Sequence, residues 1–301
     1  MKIKTQEIYS SLLKEKEIQL FIKRIDQIDE YASGNKWFKL KYNLLCAKEK
    51  EKKTILTFGG AYSNHIAATA YLAKVNGFSS IGIIRGEEKS NLNSTLSFAI
   101  KNGMKIYYVS RDEYRQKDTK QFLIKLEQKF DDFYLIPEGG TNILGVKGAA
   151  EILGVKDTHD YICCPVGTGG TISGIINSSR EYQKVIGFSI VNDLDFLQNN
   201  IANLTTKKKW ELNDNYIYGG YAKANHSLVK FINEFYLNHN IPLDIVYTGK
   251  MMMGIFDLIK KDYFLRGTCI LAIHTGGLQG NKGMNKKFLY NLPENNKFGQ
   301  C

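Results

Sequence analysis

Five cysteines, five histidines and four prolines are all that 301 residues provide, and these scarcities exclude several chemistries. Cys46, Cys163, Cys164, Cys269 and Cys301 are odd in number and irregular in spacing, so they form no disulfide framework. Cys163 and Cys164 stand in an apolar run, where buried thiols are expected rather than ligands. No two of His65, His159, His226, His239 and His274 stand four residues apart, and none lies near a Cys-x-x-Cys pair, so no metal site is expected. Apolar stretches fall well short of the roughly 20 residues of a membrane span. Residues 1–20 carry Lys14, Lys16 and glutamates in place of a signal-peptide core, which leads us to expect a cytosolic protein with no membrane partner. With so few prolines, no linker announces a domain boundary.

Acidic residues are also in deficit: 30 Asp and Glu face 41 Lys and Arg, for a formal charge of +11. The excess is mostly lysine, interleaved with glutamate as in residues 48–53, which reads as a solvated surface rather than a nucleic-acid groove. A positive cleft would nevertheless draw in an anionic substrate or a phosphate.

What is present is an alternation of short apolar runs and helix-period segments. Strand-like runs fall at 20–22, 54–58, 81–84, 105–109, 133–136, 161–166, 185–190 and 269–274, with a further short segment at 217–220. Helix-like segments fall at 64–75, 94–102, 116–129, 172–182, 226–237 and 250–260. This order predicts an α/β fold with parallel sheets covered by helices. The length suffices for two medium domains. Shifts in composition suggest a smaller α/β domain at 45–150 and a larger one from 1–44 plus 151–301. Ligand clefts commonly form at such a join.

Several turns could carry chemistry. Gly34-Asn35-Lys36-Trp37-Phe38-Lys39 follows a strand and opens an apolar-periodic helix, which would hold Lys36 at the lip of a cleft. Gly167-Thr168-Gly169-Gly170-Thr171 lies between a strand and a helix. Its glycines let backbone N–H groups approach an anion, and the helix N-terminus and threonine hydroxyls add to the cradle. Ile172 in the third glycine's place excludes the dinucleotide fingerprint, and no Gly-Lys-Ser/Thr follows to make a P-loop. Gly59-Gly60-Ala61-Tyr62-Ser63-Asn64-His65 is a second such turn. There Ser63 or Asn64 either caps the next helix or helps bind a carboxylate and move a proton. Thr275-Gly276-Gly277 ends another apolar strand, Tyr247-Thr248-Gly249-Lys250 leads into a helix whose Met251, Met252 and Met253 read as core filler, and Gly219-Gly220 presents Tyr221.

Taken in order, these motifs resemble the pyridoxal-phosphate enzymes of the 1-aminocyclopropane-1-carboxylate deaminase and D-cysteine desulfhydrase family, over residues 20–280. The resemblance implies the tryptophan-synthase β-type fold, fold type II, with the cofactor cleft between two parallel-sheet domains, and a homodimer. It implies that Lys36 bonds the cofactor aldehyde and that Asn64 bonds its phenolic oxygen. Lys39 and Gly167, Thr168, Gly169, Gly170 and Thr171 would hold the phosphate. Ser63, Asn64 and His65 would face the substrate, with Ser63 also moving protons, and Tyr221 and Tyr247 would match the two substrate-facing tyrosines. Thr248 and Thr275 would lie near the pyridine nitrogen. A threonine at 248, where the deaminases carry glutamate, favours elimination from D-cysteine to pyruvate, ammonia and sulfide over cyclopropane ring opening. A D-serine dehydratase-like enzyme, a racemase and a non-catalytic cofactor- or nucleotide-binding protein are the alternatives. Trp37-Phe38, in place of the family's usual polar pair, reads as packing in which a distinct substrate preference could reside.

Overall fold

Residues 54–60 read Thr-Ile-Leu-Thr-Phe-Gly-Gly and are buried through all but their two ends. A strand covered on both faces belongs in a parallel sheet. In the computed structural model, which describes residues 3–88 and 90–294, two such sheets form. Cys301 lies outside the described residues. The strands are β1 (Thr5–Ile8), β2 (Gln19–Lys23), β3 (Thr54–Gly60), β4 (Ser79–Arg85), β5 (Met104–Val109), β6 (Tyr134–Ile136), β7 (Tyr161–Val166), β8 (Lys184–Ser189), β9 (Trp210–Asn213) and β10 (Cys269–Ile273). One sheet has the order β5-β4-β3-β6, parallel throughout. The other has the order β1-β2-β10-β7-β8-β9 and is parallel except for the edge pair β1–β2.

The two-residue period of β7 splits the larger core between the faces of its sheet. Cys163 packs with Met251, Met252 and Ile255 on one side. Ile162 and Cys164 pack with Phe38, Ile172 and Ile176 on the other. The expected buried thiols and methionine filler are therefore found, with Met253 only partly buried against the same core. No helix among the described residues is long and apolar enough to cross a membrane.

The helix Asn35–Glu49 ties the two sheets together. Phe38, near its start, belongs to the larger sheet's core, whereas Leu40, Leu44 and Ala47 belong to a core with Ile55 and Ile136 of the smaller one. Each fully buried leucine contributes about 2 kcal/mol, so the helix is anchored at both ends. The sequence-expected boundary at 44/45 falls inside it.

Several elements differ from the sequence reading. Two helices, Arg111–Arg115 and Lys120–Phe130, stand where one was expected over 116–129, and the first lies wholly ahead of that span. Ser110 caps the first with a reciprocal Glu113 contact, and Thr119 caps the second by accepting from Phe122 N. The helix expected over 172–182 runs instead over Gly170–Ser178 and stops where Ser179 turns extended. Residues 217–220, given no type from their sequence alone, form the turn that Gly219-Gly220 indicates, with positive φ at Tyr218, Gly219 and Gly220. The helix Leu194–Ala202, strand β9 and the helix Gln279–Phe288 were not anticipated.

Candidate active site

A cleft of about 1300 Å³ opens at the carboxyl ends of β3, β4, β7, β8 and β10, the side on which parallel sheets bind ligands. Gly34 makes its floor possible. Its φ of 74° is left-handed, and a Cβ there would lie 1.9 Å from the Thr275 carbonyl oxygen. That contact lets Asn35 N donate to Thr275 O at 3.2 Å, so the helix begins directly against the end of β10.

Lys36 is in the first turn of this helix. Its Nζ donates to Asn35 Oδ1 at 3.1 Å, and Asn35 Nδ2 in turn donates to Thr171 Oγ1 at 2.8 Å. No carboxylate pairs with Lys36 among the described residues, and burial lowers its pKa to about 8. Three residues on, Lys39 is 1 % exposed and its Nζ donates to Thr141 Oγ1 at 2.8 Å. Burial first, and the charge of Lys36 second, hold the Lys39 amine well below the usual lysine range. Two amines so close, with no acid to share among the described residues, suit an anion.

The cradle for that anion is present. Thr141 Oγ1 and Thr168 Oγ1 are 2.6 Å apart, and a Cβ on Gly170 would meet Lys39 Nζ at 2.7 Å. Gly167, Thr168, Gly169 and Thr171 line the cleft, and the nine-residue helix Gly170–Ser178 begins within the loop. Hydroxyls, an ammonium and a helix N-terminus therefore converge, which suits a phosphate monoester. On the opposite wall, Asn64 Oδ1 is buried without a hydrogen-bond partner. An orphaned acceptor there fits a hydroxyl on an aromatic ring of the bound group.

Ser63 caps the helix Asn64–Val75, its Oγ accepting from Ile66 N at 3.3 Å, and this capping role leaves it in the cleft lining. His65 is buried. Thr57 Oγ1 donates to Ile136 O, so His65 Nε2 donates to Thr57 Oγ1 at 2.7 Å. Burial, followed by the charges of Lys36 and Lys39, pushes the imidazole far below its ordinary pKa, so the ring borders the cleft as a neutral wall. Tyr221 and Tyr247 meet edge to face with centroids 6.3 Å apart, and both line the cleft. Burial raises the pKa of both phenols. Thr275 lines the cleft as well.

Thr248 is placed differently from the expectation. It is fully buried, its hydroxyl donates to Asp244 Oδ1 at 2.7 Å and accepts from Asp244 N at 2.8 Å, and it does not line the cleft. Asp244 lines it instead. That carboxylate also accepts from Val246 N, Tyr247 N and Thr248 N at 2.8–2.9 Å. Burial raises its pKa, while these hydrogen bonds oppose the rise. Trp37 and Phe38 are absent from the lining and pack into the cores, so the packing reading stands and a substrate preference cannot reside in direct contact with them.

Sequence reasoning missed Asp244, Thr141 and Lys250. Asp244 stands four residues ahead of Thr248, where the helix Thr248–Lys260 begins, and an aspartate there signals a turn. Thr141 follows Gly139-Gly140 after a strand, the same punctuation that marked the other loops. Lys250 Nζ is buried and donates to Ile217 O at 2.7 Å and Gly220 O at 2.8 Å, fastening the turn that carries Tyr221. Burial lowers its pKa to about 8. Its only signal was a lysine inside an apolar helix.

The chain is similar to known proteins over most of its length. The family model described as "Pyridoxal-phosphate dependent enzyme" matches residues 4–276. A Thermotoga maritima protein provisionally named a 1-aminocyclopropane-1-carboxylate deaminase is 32% identical, the match covering 87% of this chain and 89% of that one. An Arabidopsis thaliana mitochondrial protein, named a bifunctional D-cysteine desulfhydrase and 1-aminocyclopropane-1-carboxylate deaminase, is 30% identical over 87% of this chain and 73% of its own. The crystal structure of an ACC deaminase homologue superposes with a TM-score of 0.83 at 28% identity, over 96% of this chain and 93% of the other.

Proposed function

Because this chain belongs to the family of pyridoxal-phosphate dependent enzymes, with the fold-type-II architecture and pyridoxal phosphate as its cofactor, we propose that it catalyses α,β-elimination from a small amino acid. The substrate we favour is D-cysteine, giving pyruvate, ammonia and sulfide. The observation that carries this reading is the pair Lys36 and Lys39, two buried amines on one helical turn facing a hydroxyl-lined loop with no acid between them.

When bound, pyridoxal phosphate supplies an aldehyde for covalent linkage to an amine and a ring that withdraws electrons from Cα. Lys36 would hold the aldehyde. Lys39, Thr141, Thr168, Thr171 and the backbone of 167–171 would hold the phosphate, and Asn64 the ring hydroxyl. Lys36 Nζ, once free, takes the Cα proton. Its pKa of about 8 leaves a usable fraction unprotonated near neutrality. The N–H groups of the Ser63 turn receive the substrate carboxylate, and Tyr221 and Tyr247 close over the side chain and exclude water. The homodimer expected from the resemblance and the expected cytosolic location belong to the same proposal, and light scattering checks the first.

Ring-opening deamination of 1-aminocyclopropane-1-carboxylate is the second reading. It gains from Asp244, which puts a carboxylate in the cleft wall although residue 248 is threonine. Release of sulfide and 2-oxo acid from D-cysteine, L-cysteine and the cyclopropane substrate separates the two. We expect sulfide and pyruvate from D-cysteine, borohydride-stable cofactor on a peptide containing Lys36, and loss of both in Lys36→Ala. Turnover that survives Lys36→Ala sinks the reading.

A further inference from the structure

The cleft holds more positive charge than its cofactor accounts for. With Lys36 and Lys39 assigned, its lining still carries Arg85, Lys223, Lys282, Lys286 and Lys287 against only Glu138 and Asp244. Asp244 is occupied by three backbone N–H groups and a hydroxyl. Glu138 pairs with Lys117 at 3.5 Å.

Arg85 stands apart from the lysines. It is the last residue of β4, in register with Gly60 of β3, so the sheet itself carries it to the carboxyl-end rim beside the turn that leads to Ser63. The position a Cβ would take on Gly60 is 3.9 Å from its Nη2. Its guanidinium lies 5.6 Å from the centre of the Tyr114 ring, and its charge reaches the Tyr221 phenol. Arg24, Arg115, Arg180 and Arg266 each have a carboxylate or carbonyl partner, and Arg111, which has none among the described residues, does not line the cleft. Arg85 has neither a hydrogen bond nor an ion pair among the described residues, although Glu87 and Glu88 follow it closely, and neither of these glutamates lines the cleft. A planar fork of five donors, held at the ligand side of a sheet and left unpaired, matches a carboxylate or a phosphate.

We propose that Arg85 forms a second anion subsite at the cleft rim, so that the cleft also takes amino acids whose side chain ends in an acidic group, with that group on the guanidinium. This rests on the reading that the cleft binds an amino acid over the cofactor. The α-carboxylate goes to the Ser63 turn, and Arg85 reads the far end of the ligand. The surrounding lysines raise the local concentration of such ligands without fixing their orientation.

The test uses protein loaded with pyridoxal phosphate and titrates both enantiomers of serine, aspartate and O-phosphoserine, following the visible absorbance of the cofactor. Aspartate and O-phosphoserine separate a carboxylate from a phosphate ester. At least one of them should bind on the order of tenfold more tightly than serine, as a charge-assisted pair would give. Arg85→Gln should erase that preference while leaving serine within about twofold, and Arg85→Lys should restore part of it. Arg85 is exposed and makes no hydrogen bond, and an unchanged melting midpoint confirms that the variant folds. Equal weakening of all three ligands in Arg85→Gln would assign the arginine to the α-carboxylate and overturn the subsite, as would the absence of any acidic preference in the wild type. Protein that takes up no pyridoxal phosphate overturns the underlying reading, and the subsite with it.

Discussion

Lys39 shows how one side chain couples binding to stability. Its amine is buried beside another amine and has only a hydroxyl partner, so the cofactor-free protein bears the cost of an uncompensated charge. Lys39→Met should therefore act in two directions. Affinity for pyridoxal phosphate should fall by roughly 30- to 100-fold, the value of a hydrogen bond to a charged group. Urea denaturation of the cofactor-free variant should show it about 1–2 kcal/mol more stable than the parent. Lys36 adds a pH dependence. Its folded pKa of about 8 is below the 10.5 of an unfolded lysine, so between these values the unfolded chain binds more protons. The lysine's destabilising contribution is full below pH 8 and is relieved as pH rises towards 10.5. Denaturation midpoints of the cofactor-free protein, compared with Lys36→Met, should show the parent's stability gaining on the variant's across that window. The turns at 34–39 and 167–171 were legible because strand, glycine turn and helix follow one another within a few residues, whereas the role expected of Lys39 came from the family resemblance. Thr141 was not, because it reaches Lys39 from 102 residues away.

Among the elements, the turn at 216–222 depends most on a single distant group. Tyr218, Gly219, Gly220 and Ala222 all have positive φ, a costly backbone for the non-glycine residues. Lys250, from the helix Thr248–Lys260, supplies two donors that hold the turn. Lys250→Met should loosen Tyr221 and raise KM by about tenfold with a smaller change in kcat, and hydrogen exchange in 216–222 should accelerate. The two glycines made this turn legible, but not its fastening, because the lysine that holds its carbonyls lies about 30 residues on. Strand β9 was missed because Trp-Glu-Leu-Asn at a sheet edge is half-buried throughout and shows no alternation. The long central runs were legible because strands covered on both faces must be apolar from end to end.

At the scale of the whole molecule, the smaller sheet is built from residues 54–136, and the larger from 5–23 and 161–273. We propose that these are the two domains expected at 45–150 and at 1–44 plus 151–301, with the helix Asn35–Glu49 shared between them. Because the cleft is lined from both sheets, a bound cofactor should protect the join. Pyridoxal phosphate at 100 times its dissociation constant should stabilise the fold by about 2.7 kcal/mol, and the melting midpoint should rise accordingly. Borohydride-fixed protein should resist limited proteolysis longer than cofactor-free protein. The shared helix has a further consequence. Lys36 and Lys39 are three residues apart, so helical rise alone sets about 4.5 Å along the axis between the Cα atoms of the two lysines we propose for the aldehyde and the phosphate. The helix is thus a ruler for the cofactor, and its graduation is the peptide unit itself. One residue inserted between them would swing Lys39 by about 100° away from Thr141, and no side-chain substitution could restore the spacing.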